Sequence, residues 1–455
     1  ISKRHIYMIG QGYQNCIVPT FLQNHFFRNP HVYTPYTPYQ AEISQGRLEM
    51  LYNYQSIVSN ILHKDIAVAS LLDAGQVGMD IITIMKKKTK KNIVLVQDSC
   101  FQTFKNCLTL RAKHQDITLV PFSIYSTDFT FDSNILDNTA GVIIQTPDTY
   151  GQLISTKILS TIKEYNPNIL VACNTDLMTH IHYDLHDITN ICDFIFGNGG
   201  NMGVGLNYGG PQPAFLASNK EFVRDLPGKI VGKSKCSIHE NDGYRLALQT
   251  REQHIKREKA TSNICTNQAL LANLSGAWMM YHGHNGLQEI AQSIYDKTKY
   301  IIDNICNYRV RHHSNYFNTL TIDNTEELHE VLRYHNIHTY RDDKTRSLSL
   351  TIDQTHNDND VEKIVDIVNN IHKKNTYSIP MDKHITENNY IRSKTIIPYN
   401  LNQLSISSQP EQNLTRYLHQ LSLKDYSLLS GMIPLGSCTM KYTPVDSMET
   451  VCNPL

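Results

Sequence analysis

Four stretches of the sequence carry side chains whose types and spacing could do chemistry. The first is Tyr33-Thr-Pro-Tyr-Thr-Pro-Tyr-Gln-Ala-Glu-Ile-Ser-Gln-Gly-Arg47. Its two prolines hold extended backbone and exclude a central strand. Tyr33, Tyr36 and Tyr39, spaced by three, would project phenols along it. With Gln40, Glu42 and Arg47 they are the vocabulary of a polar small-molecule pocket; the alternative is a packed arm with tyrosines as half-buried filler. The second is Leu71-Leu-Asp-Ala-Gly-Gln-Val-Gly78, a glycine-bearing turn into a helix. Such a turn can hold a phosphate on free backbone N–H groups, or simply start the helix. The third, Gly197 to Pro211, has seven glycines in fifteen residues. Met202 stands where the last glycine of a dinucleotide fingerprint would be, so it reads as a wide loop, either lining a site or plain. The fourth, Arg245 to Thr266, is dense in cations and suits a solvated helix face with pairs such as Glu252–Lys256. The histidines at 180, 182 and 186 lack cysteines or carboxylates at ligand spacing, so they read as surface histidines rather than a metal site.

The elements that must position these residues follow from short apolar runs. Ile93–Val96, Ile117–Val120, Gly141–Ile144, Ile169–Ala172 and Asp193–Phe196 are bounded by turn residues and separated by helical stretches. That pattern predicts a buried, mostly parallel sheet of the doubly wound α/β kind, with Pro213–Ala217 as a return strand. Ligands in such sheets sit beyond the carboxyl ends of the strands. Asp98, Thr146, Pro147, Asp148, Asp176 and Gly197 therefore form a candidate rim, as ligands or as helix caps.

Asn267–His282 reads as a long helix with another from Gly286. Strand Phe317–Ile322, helix Glu326–His335, strand Ser347–Ile352 and helix Val361–His372 predict a small α+β domain. The expected organisation is an arm over 1–60, an α/β domain over 61–307, the small domain over 308–373, a polar linker over 374–412, and a new unit beginning at 413.

The chain has 455 residues, 40% apolar and 18% charged, which is globular composition. Lys plus Arg number 42 and so do Asp plus Glu, leaving no net field to hold nucleic acid or an anionic membrane. No apolar run approaches the ~18 residues of a membrane span. The ten cysteines form no CxxC pair, which points to a reducing compartment. The chain begins at Ile1 without a signal-like region, and is read as an internal cut.

Several of these motifs together resemble the glycine cleavage system P-protein family. The resemblance runs through Ile9–Tyr13 with Val18-Pro19, Tyr33–Glu49, Ala69–Asp73, Leu206–Pro211, Leu248–His254, Arg257–Thr266 and Met432–Lys441. The chain departs from the family pattern at Leu71–Asp80 and Gly197–Asn207. The resemblance implies a fold-type I, pyridoxal-phosphate-dependent transferase-like large domain with a smaller α+β domain. It implies decarboxylation of glycine and transfer of the aminomethyl group to the lipoyl arm of H-protein.

In that family two related halves share the architecture, and the lysine that holds pyridoxal phosphate lies in the second. Gly197–Gly210 contains no lysine. The resemblance therefore implies a first half plus the opening of a second, with the cofactor bound through the missing half and no catalytic residue in this chain. It also implies that Ser437 and Thr439 serve as hydroxyl donors in the cofactor pocket. Cys265 and Cys438, in family-like motifs from opposite halves, become a possible redox pair. The implied partners are lipoylated H-protein, a second half or second subunit, and a second copy of the assembly. The compartment is the mitochondrial matrix in a eukaryote or the cytoplasm in a bacterium. A non-catalytic scaffold half and a stand-alone pyridoxal-phosphate transaminase or decarboxylase remain as other readings.

Overall fold

The structure, a computed structural model, describes residues 4–125, 132–235, 242–248, 255–260, 262, 264–306, 308–311, 315–323, 326–371, 411–432 and 443–452. The first strand, β1 (Ile6–Met8), pairs with none of its sequence neighbours. The next seven build the main sheet: β2 (Ile66–Ala67), β3 (Ile93–Gln97), β4 (Thr118–Phe122), β5 (Thr139–Thr146), β6 (Leu170–Thr175), β7 (Phe194–Asn198) and β8 (Ala214–Ser218). Their spatial order is β2-β8-β7-β6-β5-β3-β4. All run parallel except β8, which is antiparallel to both its neighbours. The predicted return strand is this reversed one.

The apolar runs are continuous because both faces of the sheet are covered. Every residue of β5 and of β6 is buried. The pleat sends alternate side chains to opposite faces. Val142, Ile144, Val171 and Ile195 join Leu51, Ile57 and Trp278 in one core. Ile143, Ala172, Phe194 and Phe196 join Val77, Ile81, Met85 and Phe104 in the other. Helices Gln45–Ile61 and Ala269–Asn304 cover the first face; helices Ala74–Thr89 and Gln102–His114 cover the second. The two helices expected around residue 284 are one path broken at Gly283, whose φ of 62° and ψ of −173° interrupt the helical backbone.

A hairpin of β9 (Ile230–Lys235) and β10 (Asp242–Ala247) follows the main sheet. The C-terminal strands β11 (Val310–Arg311), β12 (Thr319–Asp323), β13 (Ile337–Asp342) and β14 (Ser347–Thr351) then form a second sheet, in the order β1-β13-β14-β12-β11. β1 finds its partner here, parallel beside β13 with Ile6 opposite Ile337. Residues 1–60, read as an arm, thus serve both layers: β1 extends the small sheet, and Gln45–Ile61 lies under the main one. Helix Glu411–Leu423 buries Leu414, Leu418 and Leu421, which are spaced on one helical face. It packs on the first half, near Gln45–Ile61. The polar segment expected as a linker lies almost wholly outside the described residues, as do Ser437, Cys438 and Thr439.

Candidate functional site

The carboxyl ends of β3, β5, β6 and β7 meet the edge of the second sheet around a cleft of about 120 Å³. Of the predicted rim, Pro147, Asp148 and Asp176 line it, whereas Asp98, Thr146 and Gly197 do not. Asp176 follows β6 and caps the short helix Leu177–His182, its Oδ1 accepting from Met178 N–H at 3.0 Å and Asn201 Nδ2 at 2.9 Å. Its other oxygen, Oδ2, is buried and has no hydrogen-bond partner. Asp148 follows β5 after the cis Thr146–Pro147 bond. Its Oδ1 accepts from the N–H groups of Tyr150 at 3.0 Å and Gln152 at 2.9 Å, and the Tyr125 hydroxyl donates to its Oδ2. Asp73 caps helix Ala74–Thr89 by accepting from Gln76 N–H at 2.7 Å. The rim residues are therefore helix and turn caps whose carboxylates also face a cavity.

The side wall comes from helix Gln102–His114 and its approach. Phe101, Phe104 and Cys107 line it, the last two one helical turn apart. Thr149, 6% exposed, lines the cleft with a hydroxyl that has no partner. Gln11 to Gln14 form the roof, while Asn318, Thr319 and Thr351 form the lip from β12 and β14. Gly12 permits the roof: its φ is +87°, and a Cβ there would lie 3.1 Å from Phe101 Cε2.

The electrostatics are one-sided. Among the described residues lining the cleft there is no Lys, Arg or His, against three aspartates. Burial pushes the Asp148 carboxyl up to about 6, although hydrogen bonds from Tyr125, Ser99 and two backbone N–H groups pull it back. Burial also raises Asp176. The Cys107 thiol is raised by burial and by the negative charge of Asp73.

The residues predicted from the tyrosine tract are elsewhere. None of Tyr33, Tyr36, Tyr39, Gln40, Glu42 and Arg47 lines this cleft. They lie at and just before the start of helix Gln45–Ile61, with contacts to Asp425, Thr443, Ser70, Lys229 and Thr266. Arg47 donates from Nε to Asp425 Oδ2 at 2.6 Å and from Nη2 to Ser44 Oγ at 2.6 Å, and its Nη1 reaches the Tyr36 carbonyl. Tyr33 is buried and its hydroxyl donates to Thr443 O at 3.3 Å. The Tyr39 hydroxyl contacts Ser70 Oγ and Thr266 O, and Lys229 Nζ stands 4.6 Å from its ring centre. Gln40 opens a short 3-10 turn, and Glu42 is exposed. These polar groups are turned on one another because the tract is a junction between segments distant in sequence. Cys265 is exposed, its carbonyl accepting from Lys229 Nζ at 2.7 Å. Its proposed partner Cys438, with Ser437 and Thr439, lies outside the described residues.

The glycine loop also has a packing reason. Gly203 has φ +91°, and a Cβ there would sit 2.3 Å from Trp278 Cβ. The loop closes on the fully buried Trp278, and from this segment only Asn198 reaches the cleft. Asn198 Oδ1 accepts from Ala74 N–H at 2.9 Å, so the second motif is a capped helix start whose first amides are already engaged. His180 Nε2 lies 3.0 Å from Thr175 Oγ1, and the His182 ring stacks on Tyr295 at 4.6 Å. The contributors that sequence reasoning missed are Phe101, Cys107, Thr149 and Gln11–Gln14. Only the strand-end rule pointed near Thr149; nothing in the local sequence ties residue 11 to residue 101.

A sheet with a single reversed strand, a site at its carboxyl ends and a small second sheet against it define the α/β class of fold-type I pyridoxal-phosphate-dependent enzymes. A crystal structure of glycine decarboxylase, the P-protein of the glycine cleavage system, superposes with a TM-score of 0.73 over 81% of this chain and 85% of that one, at 23% identity. An apo cysteine desulfurase from Thermococcus onnurineus superposes with a TM-score of 0.56 over 81% of this chain and 94% of its own, at 13% identity. The family model described as glycine cleavage system P-protein matches residues 2–368, and the chain belongs to that family. The mitochondrial glycine dehydrogenase (decarboxylating) of Homo sapiens is 35% identical over 99% of this chain and 44% of its own length. The glycine dehydrogenase (decarboxylating) of Deinococcus radiodurans is 33% identical over 98% of this chain and 46% of its own. The chain thus spans about half the length of the curated relatives it matches. None of the helices described is long and apolar enough to cross a membrane.

This cleft does not fit pyridoxal phosphate. Among the described residues no lysine lines it to hold the aldehyde carbon, and none stands in the 199–213 connection between β7 and β8. At the helix start where a phosphate would sit, Ala74 and Gln76 N–H groups are occupied, and the Asp73 carboxylate would repel the anion.

Proposed function

We propose that this chain supplies the first half of a glycine dehydrogenase (decarboxylating). The reaction releases CO2 from glycine and passes the aminomethyl group to the lipoyl arm of H-protein, with pyridoxal phosphate as cofactor. The family match over residues 2–368 carries this reading. The cleft described above supports the finer part, that this chain does not itself hold the cofactor. Its lining has neither the lysine nor the cation that a covalently held phosphate ester needs.

On this reading the chain's contribution is positional. The Tyr33–Arg47 junction fixes helix Gln45–Ile61 to residues 411–427, and so sets where the lysine-bearing half stands. Ser437 and Thr439 remain proposed as pocket hydroxyls, and Cys265 with Cys438 as a thiol pair. The partners are lipoylated H-protein, the lysine-bearing half or subunit, and a second copy of the assembly. The matrix of the mitochondrion or the bacterial cytoplasm is the proposed compartment, since relatives of both origins carry the family's name.

The test is exchange of radiolabelled bicarbonate into the glycine carboxyl with pyridoxal phosphate and H-protein present. This chain alone should stay at background, and the same chain with a lysine-bearing half of the family should exchange. Exchange by the chain alone would overturn the reading in favour of a stand-alone enzyme.

A further inference from the structure

The cleft that rejects a phosphate ester carries the opposite preference. Asp73, Asp148 and Asp176 line it with no cation among the described lining residues. Two shielded carboxylates, with the exposed Asp73 at the edge, could be a folding compromise and nothing more. Two further groups argue for a ligand. Asp176 Oδ2 and Thr149 Oγ1 are buried acceptors with no hydrogen-bond partner; several such atoms occur among the described residues, and these two are the ones whose residues line the cleft. Thr149 is 94% buried by its 6% exposure, and both residues line the cavity. What is lacking is a donor.

The chemistry of that donor is constrained. An ammonium group offers three N–H donors and a positive charge, and no acceptor that would need satisfying. A divalent metal would need several carboxylates or imidazoles converging on one point. Among the described residues no group of three His, Cys, Asp or Glu is so arranged. Phe101 and Phe104 give the lining an aromatic, apolar part. Aromatic faces attract an ammonium as well as an apolar body. The small volume, about 120 Å³, excludes a large ligand.

We propose that this cleft is a binding site for a small primary ammonium ion with an apolar body, paired with Asp176 and Thr149 and packed on Phe101 and Phe104. The site stands apart from the glycine reaction and does not depend on that reading. The N-terminal roof, Gln11 to Gln14, would close over the bound ion from the small-sheet side.

The probe is benzylammonium chloride, with benzyl alcohol and benzoate as its neutral and anionic counterparts, titrated into the chain by calorimetry. Benzylammonium should bind one saturable site at least about tenfold more tightly than benzyl alcohol, since the carboxylates act only on the charged form. Benzoate should not bind. Asp176→Asn should weaken benzylammonium by about tenfold or more while leaving benzyl alcohol unchanged.

A second readout needs no variant. Cys107 lines the cleft, whereas Cys306 is exposed elsewhere. Alkylation by cationic and anionic methanethiosulfonates, mapped by mass spectrometry, should favour the cationic reagent more at Cys107 than at Cys306. Benzylammonium should protect Cys107. Equal binding of benzylammonium and benzyl alcohol, undiminished binding by a folded Asp176→Asn, or the same reagent preference at both cysteines would overturn the proposal. Protection of Cys107 by magnesium but not by benzylammonium would overturn it too.

Discussion

Two polar regions of this molecule look alike in composition and behave oppositely. The junction around Tyr33–Arg47 and the cleft around Asp73, Asp148 and Asp176 both gather charged and hydroxyl groups from distant segments. At the junction the buried acid has its complement. Asp425, 4% exposed, faces the Arg47 guanidinium and also accepts from Gly46 N–H at 2.7 Å. In the cleft the acids have only dipoles for company, and two acceptors are left over. A closed polar network specifies how segments dock, while an open one marks where something outside the chain completes it. Residue types alone rank the junction higher as a site. Charge pairing reverses that order: the tract also leaves one buried hydroxyl, Thr37 Oγ1, without a partner, but its buried acid Asp425 has Arg47.

The comparison breaks most easily at the junction. Arg47→Ala leaves Asp425 buried and unpaired, and should cost about 3–5 kcal/mol, read from urea unfolding. Burial raises the Asp425 carboxyl on balance although Arg47 draws it down, so removing Arg47 leaves a buried acid without its counter-charge. A cost under about 1 kcal/mol would mean that the junction is as exposed as an ordinary surface pair.

In the cleft, the acid itself is the cost. Asp148 ionises near 6 in the fold and at 3.8 otherwise, so the folded state keeps its proton longer. Its contribution to stability is full below the unfolded value and is lost as pH rises through the folded one. The loss amounts to about 2–3 kcal/mol. The stability difference between the parent chain and Asp148→Asn should therefore move in the variant's favour between pH 4 and 7. A difference that is flat with pH would show that the carboxylate is already compensated.

Single hydroxyls sharpen the contrast at lower amplitude. Tyr39→Phe removes the bonds to Ser70 and Thr266, and should cost about 1 kcal/mol in the same unfolding assay. Thr149→Val removes a buried hydroxyl that has no partner. It should leave stability unchanged or raise it by up to about 1 kcal/mol. If Thr149→Val were as costly as Tyr39→Phe, the hydroxyl would have a partner and the cleft would be closed like the junction.

Much of the layer architecture was determined locally. The runs Ile93–Val96 and Gly141–Ile144 sit within the strands that form, and Ile169–Ala172 and Asp193–Phe196 start one residue before theirs. A parallel strand buried on both faces must be apolar at every position, and that demand is visible within five residues. The strand-end rule likewise placed Pro147, Asp148 and Asp176 at a rim before any contact was known. The long motifs between Ile9 and Lys441 carried the family, which no periodicity could have supplied.

Tertiary structure decided everything that joins residues far apart in the chain. β1 has three residues and no local signal, and it becomes a strand only because Ile337–Thr339 offers an open edge. The roof over Phe101 depends on that pairing. Arg47, read as a pocket residue, is consumed by Asp425, an acid 378 residues away. Within the glycine loop, Gly203 answers to the bulk of Trp278 and Gly197 to the Thr175 carbonyl. Even the sign of the cleft's charge was not readable from a chain with 42 basic and 42 acidic residues. Net charge is a sum over the sequence, whereas a site's charge depends on which side chains the fold brings together and which it leaves unpaired.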